Sequence, residues 1–230
     1  MAGRPLALEG VAPSVLAADF ACLGEQVDAV LAAGARVIHV DVMDGSFVPT
    51  FSMGSNVVRA LGDRVHDAGA LIDVHLMVDR PERHVAEFAA AGADSITIHA
   101  EATPHVHYAL SAIHDAGCGA GLALCPATPP TAAAEVAGDI DVLLCMTVNP
   151  GWGGQPFIPA SLAKLERLRA LIGPGPALEV DGGIDASSAA ACARAGATLF
   201  VAGTSVFGSA DPAAAVREIA AAVRGDLAAA

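Results

Sequence analysis

The sequence predicts an α/β protein, a (β/α)8 TIM barrel formed as one domain over 1–230, and three observations predict it. Ala-Gly-Ala recurs at residues 33–35, 68–70, 91–93 and 195–197, with Ala116-Gly117-Cys118 as a weaker copy. Each copy follows a stretch of helical period and precedes a short apolar run. The length of 230 residues is close to the ~250 typical of such barrels, and no linker or low-complexity break interrupts it.

The glycine of each repeat belongs just past a helix end, where φ is positive and a Cβ is costly. Strands are expected over 8–14, 37–41, 71–77, 95–99, 120–124, 142–146, 177–181 and 198–202. These runs are short and mostly apolar, as strands buried on both faces are. Ala-rich segments of helical period, such as 19–33 and 160–172, lie between them. Alternation with short loops implies parallel strands joined by right-handed crossovers. A doubly wound open sheet would usually carry a G-x-G-x-x-G turn after its first strand, where this chain has Pro13-Ser14-Val15.

Composition narrows the function. Apolar residues make up 54% of the chain, yet no uninterrupted apolar run approaches the ~20 residues needed to cross a bilayer. No secretory or transit segment is visible, so a cytoplasmic protein without a membrane partner is expected. A formal charge of −13 disfavours nucleic acid and anionic membranes, which attract clustered Lys and Arg. Of twelve such residues, Lys164 alone is a lysine. The five cysteines form no C-x-x-C pair and read as small core residues rather than a disulfide framework. A homo-oligomer is expected, its size left open.

The C-terminal strand ends of a barrel form its active face. With a side-chain period of two, His39 and Asp41 share one side of strand 2, and Asp73, His75 and Met77 share one side of strand 3. Asp181 closes strand 7. Two imidazoles and two carboxylates supply the mixed donors that Zn, Fe, Mn or Co accept, so His39, Asp41, His75 and Asp181 form a candidate site for one divalent metal, Zn foremost. The alternative, a metal-free ion-pair network, would need cations for the carboxylates, and neither Lys nor Arg lies on these strand ends.

Glycine gives a second signal. Asn149-Pro150-Gly151-Trp152-Gly153-Gly154-Gln155 follows strand 6, Gly182-Gly183 follows strand 7 and Ala202-Gly203-Thr204 follows strand 8. Glycines let backbone N–H groups approach an anion, and the loops after strands 7 and 8 are the usual phosphate site of these barrels. Met43, Met77 and Met146 fall at or just beyond strand ends, where they read either as plain core or, in a site handling a sugar phosphate, as soft side chains that shield a reactive carbanion from water.

These segments resemble the ribulose-phosphate 3-epimerases. The likeness rests on residues 12–20, on His39-Val40-Asp41-Val42-Met43-Asp44-Gly45 with Phe47-Val48-Pro49, on Asp73-Val74-His75-Leu76-Met77-Val78, on 149–155 and on Val180-Asp181-Gly182-Gly183-Ile184. It implies a ribulose-phosphate-binding barrel in which His39, Asp41, His75 and Asp181 hold the metal, and Asp41 and Asp181 also act as acid and base. It further implies that Ser14, His75 and the three methionines line the substrate, with 151–154, Gly182, Gly183, Ala202, Gly203 and Thr204 toward the phosphate. Thr50, Cys125, Trp152 and Thr204 depart from the commonest family pattern, and none is a ligand.

The expected reaction is metal-dependent epimerisation at C3 of a phosphorylated ketopentose, D-ribulose 5-phosphate to D-xylulose 5-phosphate, within pentose phosphate metabolism. Inversion beside a ketone needs a base on each face, and strands 2 and 7 lie three steps apart round an eight-stranded ring. An allulose 6-phosphate epimerase is the nearest alternative. A Schiff-base aldolase would need a lysine at a strand end, whereas Lys164 falls in the helix after strand 6. A decarboxylase of similar fold would carry Asp-x-Lys where this chain has Asp41-Val42-Met43. A non-catalytic sugar-phosphate sensor would have no need of four ligands.

Overall fold

The computed structural model describes residue 6 and residues 8–227. Among them, eight parallel strands alternate with helices in a nearly closed barrel. The order is β1 (Gly10–Pro13), α1 (Leu23–Ala32), β2 (Val37–Met43), α2 (Ser55–Asp67), β3 (Leu71–Met77), α3 (Val85–Ala91), β4 (Ser95–His99) and α4 (Val106–Asp115). There follow β5 (Gly119–Leu124), β6 (Val142–Met146), α5 (Ser161–Ile172), β7 (Ala177–Asp181), α6 (Ala186–Arg194), β8 (Leu199–Ala202), α7 (Thr204–Phe207) and α8 (Pro212–Leu227). Neighbours pair in the order β1-β8-β7-β6-β5-β4-β3-β2. An isolated parallel bridge between Ser14 and His39 brings β2 back to β1.

The repeat glycines sit where the helices end, with φ +108 at Gly34, +68 at Gly69, +108 at Gly92, +85 at Gly117 and +100 at Gly196. A Cβ in this region is penalised, so these residues turn each helix back toward the next strand. Outward-facing strand residues such as Ile38, Val74, Ile96 and Leu143 pack fully buried against the helices in the main core. A smaller cluster around Ala12, Val37, Val142, Leu199 and Val201 fills the barrel interior from its N-terminal end up to the level of Asp181, which pairs with Val201.

Four expectations shift, the first being strand 1, which spans Gly10–Pro13 rather than 8–14. The helix expected over 19–33 starts at Leu23, because Val15–Ala17 form a 3-10 turn and the Asp19 carboxylate accepts from the Ala21 N–H at 2.9 Å, holding that stretch as a turn. Strand 2 runs two residues past Asp41, since Val42 and Met43 continue the register with Leu76 and Met77. Between β5 and β6 the helical segment is 3-10 rather than α (Pro130–Val136), opened by Pro129-Pro130. Cys118, Cys145 and Cys192 are buried and Cys22 and Cys125 partly so, all with free thiols.

Candidate active site

Parity along β2 and β3 carries His39, Asp41, Asp73 and His75 into the barrel interior, all essentially buried. Asp181 ends β7 and keeps 17% of its side chain exposed. One donor atom from each of His39, Asp41, His75 and Asp181 lies within 4.8 Å of every other. Strands three steps apart on the ring thus converge at the axis. Ser14 donates to Asp41 Oδ2 at 2.5 Å, which leaves Oδ1 toward His39 Nε2 at 3.3 Å and His75 Nδ1 at 3.0 Å. His75 Nδ1 is 3.7 Å from Asp181 Oδ2.

The outer nitrogens are tied as those of ligand imidazoles usually are. His39 Nδ1 is 2.7 Å from Asp73 Oδ2, and Ser95 donates to Asp73 Oδ1 at 2.5 Å. Burial opposes ionisation of Asp73, but these hydrogen bonds outweigh it and hold the carboxyl below its ordinary range. His39 then donates from Nδ1 and, as a neutral ring, turns a bare Nε2 to Asp41 Oδ1. A lone pair facing a carboxylate repels unless a proton or a cation lies between. Two nitrogens and two carboxylates gathered in this way fit a divalent cation.

Without a cation the same groups share protons. Burial disfavours charge on His39, yet the charge of Asp41 and hydrogen bonds to Asp41, Asp73 and Glu179 raise it well above the usual imidazole range. Burial pushes His75 down to about 4, and the Asp41 hydrogen bond does not compensate. Asp41 is held well below the ordinary carboxylate range by His39 and His75 despite burial. Burial and then the Asp41 charge push Asp181 up to about 8.

Above this floor opens a cleft of about 790 Å³, within the span of small-molecule sites. Ser14, Asp41, Met43, Met77, Met146 and Asp181 line its depth. Gly151, Trp152, Gly153, Gly154, Gly182, Gly183, Gly203 and Thr204 line its far wall, and neither Lys nor Arg is among the lining residues. His39 and His75 lie behind the floor rather than on the wall. Ala202 faces away into the helix-side core, its carbonyl accepting from the Ser14 N–H at 3.0 Å. Gly182 and Gly183 have φ +118 and +65, and a Cβ on Gly183 would sit 2.5 Å from the Phe157 nitrogen. The β7 and β6 loops therefore pass too closely for any side chain there.

Residues 10–207 match the model of the Ribulose-phosphate 3 epimerase family. The chain belongs to that family. Among its relatives, a ribulose-phosphate 3-epimerase of Serratia marcescens is 49% identical over 204 residues, 87% of this chain and 96% of that protein. One from Bacillus subtilis (strain 168) is 44% identical over 213 residues, 91% of this chain and 97% of that protein. A solved 3-hexulose-6-phosphate synthase superposes with TM-score 0.72 at 22% identity, covering 93% of this chain and 99% of that one, a likeness of fold. This ribulose-phosphate 3-epimerase family member is thus an isomerase, its family acting on phosphorylated sugars. No helix among the described residues is long and apolar enough to cross a membrane.

Sequence reasoning passed over His99, Glu101 and Glu179. His99 ends β4 on the interior face and meets His75 Nε2 at 2.9 Å. The Ser95, Thr97, His99 alternation was the available signal. Glu179, fully buried, is raised well above the carboxylate range by burial and the charge of Asp73. It lies one interior position below Asp181.

Proposed function

We propose that this epimerase interconverts D-ribulose 5-phosphate and D-xylulose 5-phosphate, with Asp41 and Asp181 exchanging the C3 proton from opposite faces. The observation that carries this reading is the convergence of two carboxylates from β2 and β7, within 4.8 Å of each other, at the floor of the cleft. Their surroundings push them apart in acidity, Asp41 downward and Asp181 up to about 8. An inversion requires a base on one face and a proton donor on the other, roles the two carboxylates exchange with the direction of the reaction.

Ser14 fixes the Asp41 carboxylate through Oδ2 and keeps the remaining oxygen aimed into the site. Met43, Met77 and Met146, all at most 5% exposed, close the floor against water around the reacting carbon. The backbone of the 151–154, 182–183 and 203–204 loops holds the phosphate at the far wall, where no side-chain cation lies among the lining residues. His39, Asp41, His75 and Asp181 would hold one divalent metal, Zn before Fe, Mn or Co. Such an ion supplies Lewis acidity toward the keto and hydroxyl oxygens of the sugar.

The test is deuterium exchange at C3 in Asp41→Asn and Asp181→Asn, with metal occupancy restored by excess ion and verified by elemental analysis. Net epimerisation fails in both. Each variant slowly exchanges the C3 hydrogen of one epimer in deuterated water, and the two favour opposite epimers. Exchange of the same epimer by both would leave a single base and overturn the two-face assignment. Allulose 6-phosphate assayed in parallel separates pentulose from hexulose preference.

A further inference from the structure

Behind His75 runs a chain of polar groups that leads from the buried floor to the protein surface. His75 Nε2 lies 2.9 Å from His99 Nε2, with the rings stacked at 5.0 Å between centroids. His99 Nδ1 lies 3.2 Å from Glu101 Oε2. The other oxygen, Glu101 Oε1, accepts from the Cys125 N–H at 2.8 Å and from the Thr128 hydroxyl. Both imidazoles are fully buried, while Glu101 keeps 26% of its side chain exposed.

Each contact in this chain needs one hydrogen, and hydrogen-bond chemistry fixes where it sits. Burial resists ionisation of Glu101, but the bonds from His99, Thr128 and Cys125 outweigh it and hold the carboxyl down at about 2. An ionised carboxylate only accepts, so the hydrogen facing it belongs to His99 Nδ1. A neutral ring has one N–H, which leaves His99 Nε2 bare. The hydrogen between the two rings then belongs to His75 Nε2, and with a cation in place of a proton between them, His75 Nδ1 is bare toward Asp41 and Asp181.

We propose that Glu101 and His99 are positioning residues that fix the tautomer of His75, so that its Nδ1 is presented as a ligand beside His39, Asp41 and Asp181. This rests on the divalent-metal reading above. It makes a counterintuitive demand of the isosteric variant Glu101→Gln. The Cys125 N–H is backbone and cannot turn, so the amide carbonyl must face it and the NH2 must face His99. That orientation requires a bare His99 Nδ1, which reverses both hydrogens and places one on His75 Nδ1, where the cation would bind. Glu101→Ala imposes no orientation and leaves His99 free to take either tautomer.

The experiment titrates Co2+ into metal-free wild type, Glu101→Gln and Glu101→Ala, following the visible bands of the bound ion. Glu101→Gln is expected to weaken binding by about 10–100-fold, the usual effect of losing such a partner, and Glu101→Ala by less. A Gln variant that binds like wild type, or an Ala variant that binds more weakly than Gln, overturns the proposal. Nitrogen-15 spectra of the Zn-loaded wild type test it without substitution: the ring hydrogens belong on His75 Nε2 and His99 Nδ1. A hydrogen on both His99 nitrogens, or one on His75 Nδ1, also overturns it. Wild type that takes up no Co2+ at all would instead sink the metal site, a separate outcome.

Discussion

Gly183 and Gly69 share almost the same φ, +65 and +68, but not the same surroundings. A Cβ on Gly69 meets nothing within 4 Å, whereas one on Gly183 would lie 2.5 Å from the Phe157 nitrogen, 2.8 Å from its Cα and 3.1 Å from the Gln155 carbonyl oxygen. Gly69→Ala therefore measures the left-handed backbone alone, roughly 1–2 kcal/mol. Gly183→Ala adds overpacking against backbone atoms, about 1–3 kcal/mol more, for a loss of about 2–5 kcal/mol. Urea denaturation of the metal-free proteins gives both values, and substrate kinetics give a second readout. Moving the 155–157 segment disturbs the proposed phosphate wall, so KM rises in Gly183→Ala and stays level in Gly69→Ala. Equal losses of stability would show that segment 155–157 yields freely and refute the close-approach argument. An unchanged KM would remove Gly183 from the phosphate site.

Other outcomes follow from the site and its surroundings. The purified protein carries about one divalent metal per chain, as its N2O2 donor set suits, and chelation abolishes turnover; a metal-free, fully active protein would contradict this. His75→Ala lowers metal occupancy, while His66→Ala, at the exposed end of α2 beside Asp94, and His107→Ala, exposed on α4, leave it unchanged. Glu101 is depressed from its ordinary 4.5 to about 2 in the fold. The stability it contributes is thus present above about pH 4.5 and is lost as pH falls toward 2. Urea midpoints of metal-free Glu101→Gln decline less steeply than wild type across that window, and parallel slopes would show that the carboxylate is not held by its neighbours.

The strands were legible because burial on both faces writes each of them as a short apolar run, and the repeat glycines mark where the helices must stop. Edges were less so. Asp44 closes the loop after β2 by accepting from the Ser46, Phe47 and Asp79 N–H groups, bonds that no local pattern announces. The floor residues were legible through parity, since His39 and Asp41 or Asp73 and His75 share a face two residues apart. Their partners were not. Asp73 receives its role from His39 on the neighbouring strand, and Glu101 receives His99, Cys125 and Thr128 from both sides of β5. Such pairings depend on register and stagger across strands, which a single strand's period does not contain. The state of Glu179 was equally hidden, because burial beside Asp73 decides it rather than residue type.

The joint between β1 and β2 is the thin place in the hoop. Elsewhere round the ring, neighbours are laddered over three to seven register pairs, as in Glu179 to Asp181 with Leu199 to Val201 or Val37 to Met43 with Leu71 to Met77. Here an isolated bridge joins Ser14 to His39. An ion gripped by His39 and Asp41 on β2 and by Asp181 on β7 would span this gap, with β1 and β8 held beneath it. Loading the site would then fasten the barrel like a buckle across its open edge. Slowed amide exchange would concentrate at Val11, Ala12, Ser14 and residues 37–41 and leave the far arc of β4, β5 and β6 nearly untouched.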